Sequence, residues 1–268
     1  MGTIGFIGGG NMAEALIKGV ITAKLYKPED IFVSDIKQDR LIYLSKYHIR
    51  LATNNAEAAG KADILVMAVK PQDMIQALQS IKGAVRADTL IISIAAGKRV
   101  ADIARILGET AMIVRVMPNT PALIGEGASA LFANDKAKPV LASAERIFSA
   151  VGKAVVVEDE GLIDVVTAVS GSGPAYYFLL MEEMIKAGAE LGLPEDLAKD
   201  LVLQTAKGAA LLAVDADKKH EPPAELRRKV TSPGGTTAAA MKVFELRNFK
   251  RLVAEAIEQA CKRSRELS

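Results

Sequence analysis

The chain has 268 residues, half of them hydrophobic, with 34 basic and 32 acidic side chains. A chain of this length can bury a sizeable core in one or two domains, and its balanced charge disfavours nucleic acid or an anionic membrane as a partner. The single cysteine cannot form an internal disulfide, which favours a reducing compartment. No apolar stretch approaches the roughly 20 residues that span a bilayer, so we expect a cytoplasmic protein.

A glycine-rich turn opens the chain. The apolar run from Ile4 to Ile7 breaks at three glycines and is followed by apolar residues at helical spacing, which predicts a strand, a tight turn and a helix. The pattern of Gly8, Gly10 and Ala13 is typical of a turn that brings backbone N–H groups to the pyrophosphate of a dinucleotide. A glycine-rich turn without a ligand gives the same pattern, but the strand and helix alternation that follows favours the dinucleotide.

The second predicted strand, Ile31 to Asp35, ends in an acid. Asp35 follows the glycines at the distance expected of the residue that binds an adenosine ribose, which favours NADH. Ser34, Lys37 and Arg40 could instead accommodate the 2′-phosphate of NADPH, so both cofactors stay open. Asp35 could equally cap the next helix.

Further apolar runs and helical patterns alternate along the first half, which predicts a doubly wound α/β domain. The predicted strands are Asp63–Val69, Thr89–Gly97, Met112–Val116, Ala128–Phe132 and Ala154–Val157, and the predicted helices include Met74–Ile81, Val100–Leu107 and about Ala137–Ser149. Ligands bind beyond the carboxyl ends of such strands, so the strand tips should share one crevice. These tips are Gly8–Met12, Ala68–Gln72, Ile94–Gly97 and Pro118–Pro121. Lys70 is equally typical of a solvated lysine, and Asn119 with Thr120 of a rigid turn.

Helical patterns replace strand patterns from about Asp159 onward, which predicts two domains, 1–159 and 160–268. The predicted helices are Leu162–Ser170, Pro174–Leu191, Pro194–Leu212 and Asn248–Arg265. The helix from Pro174 is apolar around much of its circumference, and such a helix in a small all-helical domain usually needs a partner. We therefore expect a homodimer, with burial inside the helix's own domain as the alternative.

The segment Val230–Ala240 has unusual chemistry for a loop. Hydroxyl residues, a proline and two glycines lead directly into an alanine-rich helix, so free backbone N–H groups gather at its N-terminus. This arrangement suits a small anion such as a carboxylate. An elaborate N-cap without a ligand is the alternative.

Five motifs together resemble pyrroline-5-carboxylate reductases, in that family's order and over the whole chain. They are Gly5–Met12, Ala68–Gln72, Met117–Pro121, Ser170–Tyr176 and Val230–Thr237. The resemblance implies an N-terminal Rossmann-type doubly wound sheet followed by an all-helical dimerisation domain. It also implies hydride transfer from NADPH or NADH to 1-pyrroline-5-carboxylate, giving L-proline. Family members form homodimers, often assembled as decamers of five dimers, and a neighbouring subunit helps to complete the substrate site.

The resemblance assigns residues to each part of the site. The cofactor-binding residues would be Gly8, Gly9, Gly10, Asn11, Met12, Ala13, Ser34, Asp35, Asn55, Ala68, Val69, Lys70, Pro71, Ile94, Ala95 and Ala96. The substrate-binding residues would be Asn119, Ser232, Gly235, Thr236 and Thr237, with the Thr237 hydroxyl on the ring nitrogen as the catalytic contact. Many relatives carry a His-Pro pair before this loop, whereas this chain has Glu221, Pro222 and Pro223, so no contact is transferred from that segment.

The chemistry inferred from the residues agrees with this assignment. A cyclic imine takes a proton readily, so the enzyme needs mainly to orient the imine and fix its carboxylate, without a strong general acid or a metal. His48 and His220 lie outside the motifs, and we expect both to be exposed. A β-hydroxyacid dehydrogenase of the same architecture is the alternative enzyme, and it would need a lysine early in the second domain as proton donor. The first lysine of that domain is Lys186, well down an apolar helix, which argues against this alternative. A dinucleotide-sensing protein without turnover is the alternative from another class. It predicts a non-functional anion loop, Ser232–Thr237, whereas the residues of that loop are intact here.

Overall fold

A computed structural model describes residues 2–267 of the chain. They form two compact units: the first runs up to Pro174 and includes the segment from Gln259, and the second is Ala175–Glu258. The first unit is therefore discontinuous in sequence. The division into domains 1–159 and 160–268 stays a prediction.

An eight-stranded sheet is the centre of the first unit. Its strands are β1 (Ile4–Ile7), β2 (Ile31–Ser34), β3 (Arg50–Leu51), β4 (Ile64–Met67), β5 (Leu90–Ser93), β6 (Met112–Met117), β7 (Gly127–Ala133) and β8 (Gly152–Val156). Their spatial order is β3-β2-β1-β4-β5-β6-β7-β8, and every neighbouring pair is parallel except β6 with β7. The strand order reverses direction beside β1, which is the feature that creates a crevice in doubly wound folds. The predicted Rossmann-type sheet is confirmed.

Helices cover both faces of this sheet. They are α1 (Asn11–Thr22), α2 (Gln38–Leu44), α3 (Asn55–Lys61), α4 (Met74–Ile81), α5 (Val100–Leu107), α6 (Leu141–Ser149) and α7 (Leu162–Val166), the last followed by a π-helical turn, Thr167–Gly171. Successive strand residues point to opposite faces, so Val66 packs into one buried cluster and Leu65 into the other. Strands covered on both faces are apolar throughout, which is why they were recognisable as continuous runs.

Several boundaries differ from the sequence prediction. The strands predicted to reach Val69 and Gly97 end at Met67 and Ser93, because the chain turns out of the sheet there. Strand β3 and helix α3 had not been predicted, and α2 had been expected only as the helix that Asp35 could cap. Both residues of β3 are exposed and β3 pairs only with β2, so it carries no apolar pattern.

The second unit is entirely helical, as expected. It comprises most of α8 (Gly173–Glu190), with α9 (Glu195–Asp217), α10 (Pro223–Lys229), α11 (Thr236–Leu246) and the first part of α12 (Phe249–Glu266). Large apolar side chains of α8, such as Tyr177 and Phe178, are more than half exposed in the single chain. Within residues 2–267, no helix combines the length and the apolar character needed to cross a membrane.

Candidate functional site

The predicted cofactor residues of the first unit meet at the carboxyl ends of neighbouring strands. Backbone hydrogen bonds join the tips: the Gly8 N–H donates to the Ser34 carbonyl at 2.8 Å, and the Ala68 N–H donates to the Ile7 carbonyl at 2.8 Å. The Ile94 N–H donates to the carbonyl of Met67, the last residue of β4, at 3.2 Å. The loops after β1, β2, β4 and β5 therefore lie side by side at one edge of the sheet.

The glycine-rich turn has the geometry that its sequence requires. Gly8 has φ +94°, and a Cβ there would lie 2.7 Å from the Ala68 carbonyl oxygen. Gly10 is the N-cap of α1, no side chain caps that helix, and a Cβ on Gly10 would meet nothing within 4 Å. Ala13 is fully buried under the turn. Uncapped N–H groups beside open space suit a pyrophosphate, so these residues fit a dinucleotide.

Asp35 lies directly against this turn. Its carboxylate accepts a hydrogen bond from the Gly9 N–H at 2.6 Å through Oδ2 and from the Lys37 N–H at 2.8 Å through Oδ1. The N-cap position of α2 belongs to Lys37, so Asp35 is not the N-cap of that helix. Its carboxylate instead joins the start of the loop after β2 to the glycine-rich turn through these two hydrogen bonds.

Glu14, in the first turn of α1, collects three donors. Arg40 Nη2 lies 2.6 Å, Lys46 Nζ 3.0 Å and the Tyr47 hydroxyl 2.9 Å from its carboxylate oxygens. Partial burial raises the pKa of Glu14, but the hydrogen bonds from these donors outweigh it and lower that pKa to about 2. Arg40 Nε also donates to the Gly9 carbonyl. This cluster ties α2 to the glycine-rich turn.

The remaining predicted cofactor residues line the neighbouring loops. The Ser34 hydroxyl donates to Asn55 Oδ1 at 2.7 Å, and Asn55 Nδ2 donates to the Ser80 hydroxyl at 2.9 Å. The side chain of Lys70 is exposed, while its carbonyl accepts from the Asp73 N–H at 2.9 Å and closes a short turn. Partly buried or buried side chains fill the other positions: Ala68, Val69, Pro71, Ile94, Ala95 and Ala96.

Asn119 uses both ends of its amide within the first unit. Its Oδ1 accepts from the Ala128 N–H at 2.8 Å, and its Nδ2 donates to the Ser170 carbonyl at 3.1 Å. The side chain thus fastens the loop after β6 to β7 and to the π-helical turn. Its assignment as a substrate-binding residue stays a prediction.

A buried ionic cluster behind the strand tips was not found from the sequence. Arg115 on β6 lies 3.3 Å from Asp164 and 3.2 Å from Glu160, and Glu160 accepts from the Val100 N–H at 2.8 Å. Ser264 of α12 donates to Asp164 at 2.8 Å. A charged residue inside the apolar run of β6 was the available signal, because a buried arginine requires partners.

Leu267, the residue directly after α12, reaches a predicted cofactor loop. Gly97 directly follows Ile94, Ala95 and Ala96, and a Cβ there would lie 2.7 Å from the Leu267 Cβ. The loop after β5 therefore contacts Leu267 at Gly97 and Glu160 at Val100.

The anion loop lies in the second unit, between α10 and α11. Gly235 is the N-cap of α11 and has no capping side chain, so the alternative of an elaborate N-cap is not met. Its N–H donates to the Ser232 carbonyl at 3.1 Å. Among residues 2–267, the N–H groups and hydroxyls of Thr236 and Thr237 have no hydrogen-bond partner, nor has the Ser232 hydroxyl. This helix end therefore presents unused donors of the kind that bind a carboxylate.

Other residues weighed from the sequence have ordinary surroundings. Lys186 Nζ lies 2.7 Å from Glu182 and 3.0 Å from Glu183, and these hydrogen bonds raise the pKa of the exposed lysine. It lacks the surroundings of a catalytic proton donor. Glu221 pairs with Lys229 at 2.5 Å. His48 and His220 are exposed, and the described part of the chain holds no group of three His, Cys, Asp or Glu residues suited to a metal ion.

Comparison with known proteins decides the family. The chain is 46% identical to a pyrroline-5-carboxylate reductase of Pseudomonas aeruginosa, over 99% of this chain and 96% of the relative. This chain belongs to the pyrroline-5-carboxylate reductase family. Residues 160–267 match the family model described as pyrroline-5-carboxylate reductase dimerisation, and residues 3–97 match that of NADP oxidoreductase, coenzyme F420-dependent.

Solved structures agree with this assignment. A pyrroline-5-carboxylate reductase from Coxiella burnetii is 39% identical and superposes with a TM-score of 0.91, covering 100% of this chain and 98% of that one. A pyrroline carboxylate reductase from Plasmodium falciparum, solved with NADP bound, is 34% identical with a TM-score of 0.85, covering 99% and 97%. The comparisons confirm a nicotinamide dinucleotide as cofactor, NADPH or NADH, and the dimerisation model supports a homo-oligomer.

Proposed function

We propose that this chain reduces 1-pyrroline-5-carboxylate to L-proline, with NADPH or NADH as the hydride donor. The observation that carries the proposal is the identity of 46% over nearly the whole chain with a reductase of that name. The uncapped end of α11 supports it, because the substrate carries the carboxylate that such a helix end binds.

The anion loop would bind and orient the substrate. The Ser232 hydroxyl and the N–H groups of Thr236 and Thr237 would donate to its carboxylate, and the Thr237 hydroxyl would hydrogen-bond the ring nitrogen. Gly235 contributes through the turn, since its own N–H donates to Ser232. These roles need no ionisable group, which fits a loop of hydroxyls and backbone donors.

The reaction adds a hydride to the imine carbon and a proton to the nitrogen. The bound cofactor supplies the hydride. A cyclic imine is basic enough to take its proton from water, so the contribution of the protein is to hold the imine in place and fix its carboxylate. A hydroxyl at the nitrogen then has an orienting role, which is the role proposed for Thr237.

The cofactor residues of the first unit would bind the dinucleotide at the strand tips. The glycine-rich turn and the N-terminus of α1 would take the pyrophosphate, and Asp35 would face the adenosine ribose. The loops after β4 and β5 would line the rest, through Ala68–Pro71 and Ile94–Ala96.

The second unit would form the dimer. Apolar side chains of α8 are exposed in the single chain, and a second copy of the chain would cover them. We further propose that five such dimers assemble as a decamer. Light scattering coupled to size-exclusion chromatography separates monomer, dimer and decamer by mass; a monomer at micromolar concentration would contradict both proposals.

The test of the function measures cofactor oxidation and product formation in the same reaction. Purified chain is incubated with 1-pyrroline-5-carboxylate and NADPH or NADH, oxidation is followed at the nicotinamide absorbance, and proline is identified by mass. The expected result is one molecule of proline for each molecule of NADPH or NADH that is oxidised. Dinucleotide binding without oxidation or proline would refute the assigned substrate.

A further inference from the structure

Two kinds of side chain follow β2, and they suit different dinucleotides. In folds of this type an acid here binds the ribose 2′-hydroxyl of NADH, whereas a nearby arginine accommodates the 2′-phosphate of NADPH. This chain carries both, as Asp35 and Arg40. We propose that the chain binds NADH more tightly than NADPH and that Asp35 determines this preference; the inference rests on the function proposed above.

Asp35 is held in place before any ligand binds. One carboxylate oxygen accepts from the Gly9 N–H and the other from the Lys37 N–H, so the group is fixed beside the glycine-rich turn. Each carboxylate oxygen has a further lone pair, which can accept a hydrogen bond from a ribose hydroxyl. A phosphate dianion offers no such proton and is repelled by the carboxylate. A preorganised acceptor thus favours the dinucleotide with a free 2′-hydroxyl.

The Arg40 guanidinium already has partners within the chain. Its Nη2 lies 2.6 Å from Glu14, and its Nε donates to the Gly9 carbonyl. Only about a fifth of its side chain is exposed, at 21%. The low pKa of Glu14, about 2, means that this acid stays charged and keeps its hold on the guanidinium. A 2′-phosphate would have to compete with an existing ion pair for Arg40.

The other candidates for a 2′-phosphate either have partners already or are exposed to solvent. Lys46 pairs with Glu14 at 3.0 Å. The Ser34 hydroxyl donates to Asn55, and Ser34 is only 3% exposed. Lys37 has no ion pair within residues 2–267, but its side chain is exposed. An exposed ammonium attracts a phosphate weakly because water and salt screen it.

The experiment measures binding without the imine. Isothermal titration of the full-length chain with NADH and NADPH gives the two dissociation constants directly. NADH should bind roughly tenfold more tightly or better, the size expected of one hydrogen bond to a charged group. Equal or tighter binding of NADPH by the unaltered chain would overturn the inference, whatever the variants do.

Two matched variants assign the effect to one residue. Asp35→Asn, with Asp35→Ser as a second variant should the first fail to fold, should bring the ratio of the two constants towards one. Asp39→Asn removes the same charge from an exposed position in the first turn of α2 and should leave the ratio unchanged. A ratio that shifts equally in Asp39→Asn would show that general charge, and not Asp35, sets it.

The binding measurement also separates this inference from the proposed function. If NADH binds more tightly but the imine is not reduced, the assigned reaction fails and the cofactor preference stands. If proline forms while NADPH binds more tightly, the reaction stands and the preference fails.

Discussion

Arg115 and Asp164 form an ion pair, Nη2 to Oδ1 at 3.3 Å, in which each residue is only 1% exposed. The pair joins strand β6 to α7, and Glu160 and Ser264 are further partners, Glu160 of Arg115 and Ser264 of Asp164. Ions taken out of water are tolerated only when they are well paired. The cluster thus connects the strand that precedes Asn119 to two helices.

Asp164→Asn should destabilise the chain severely. It leaves the buried guanidinium of Arg115 with Glu160 as its remaining ionic partner, and breaking a buried pair costs about 3 kcal/mol of unfolding free energy. Urea denaturation at fixed protein concentration measures the loss. Glu255→Gln removes a carboxylate from the exposed pair with Arg251 and should cost less than about 0.5 kcal/mol. Similar costs for both variants would contradict the importance given to burial.

Gly8→Ala and Gly10→Ala should separate folding from binding. At Gly8 the positive φ and the nearby Ala68 carbonyl should lower the unfolding free energy by about 2 kcal/mol or more. At Gly10, φ is −65° and the Cβ has open space, so stability should be kept. Dinucleotide affinity of Gly10→Ala should nevertheless fall, because the methyl group lies where the pyrophosphate approaches. Calorimetry and ligand titration measure the two effects, and undiminished affinity in Gly10→Ala would remove the turn from the cofactor site.

The Glu14 cluster should make stability depend on acid pH. The pKa of Glu14 is about 2 in the folded chain, against an ordinary value of 4.5, so its ionised form stabilises the fold above pH 4.5. That contribution, about 2 kcal/mol after allowance for partial exposure, is lost as the pH falls from 4.5 towards 2.

Glu14→Gln should therefore lower stability at pH 7 and flatten its dependence on pH between 4.5 and 2. Thermal midpoints across that range measure the effect. Glu109→Gln, at an exposed position, is the matched control and should follow the unaltered chain. Identical pH curves for Glu14→Gln and the unaltered chain would mean that ionised Glu14 makes no such contribution to stability.

Thr237→Ala should lower turnover and weaken substrate binding while sparing cofactor affinity, because the hydroxyl is proposed to contact the ring nitrogen. Losing one neutral hydrogen bond predicts roughly a tenfold fall in kcat/KM. Thr236→Ala keeps the backbone N–H and should retain activity, since only that group is proposed to act. Steady-state kinetics with both substrates varied tests the pair, and unchanged constants in Thr237→Ala would exclude its hydroxyl from the mechanism.

The fold was predictable where burial imposes a pattern. Strands β4 and β5 are apolar on both faces, so they could be recognised as continuous apolar runs. The glycines after β1 could be recognised because a tight turn beside a pyrophosphate requires them at a fixed spacing. Strand β3 could not, because two exposed residues at a sheet edge carry no periodicity. The antiparallel pairing of β6 with β7 was equally hidden, since strand direction depends on the path of the connection.

The candidate site was predictable to the level of motifs and no further. The sequence offered Asp35 as a candidate for ribose binding or helix capping but left its partners open, and the structure supplies Gly9 and Lys37. It could not indicate that Arg40 would be engaged by Glu14, because that ion pair joins two helices. Hydrogen bonds between distant residues, such as those of Asn119, leave no local signal.

The contacts of Ser264 and Leu267 limit the order in which the first unit can assemble. Its sheet is fully synthesised by Val156, yet Asp164 meets Ser264 only 100 residues later, after the whole helical unit has been made. Until the residues from Gln259 onward have been made, Asp164 lacks the Ser264 hydroxyl as a partner and Gly97 lacks its contact with Leu267. These two contacts of the first unit can therefore form only after α12 has been synthesised, although most of that unit is made before the helical one.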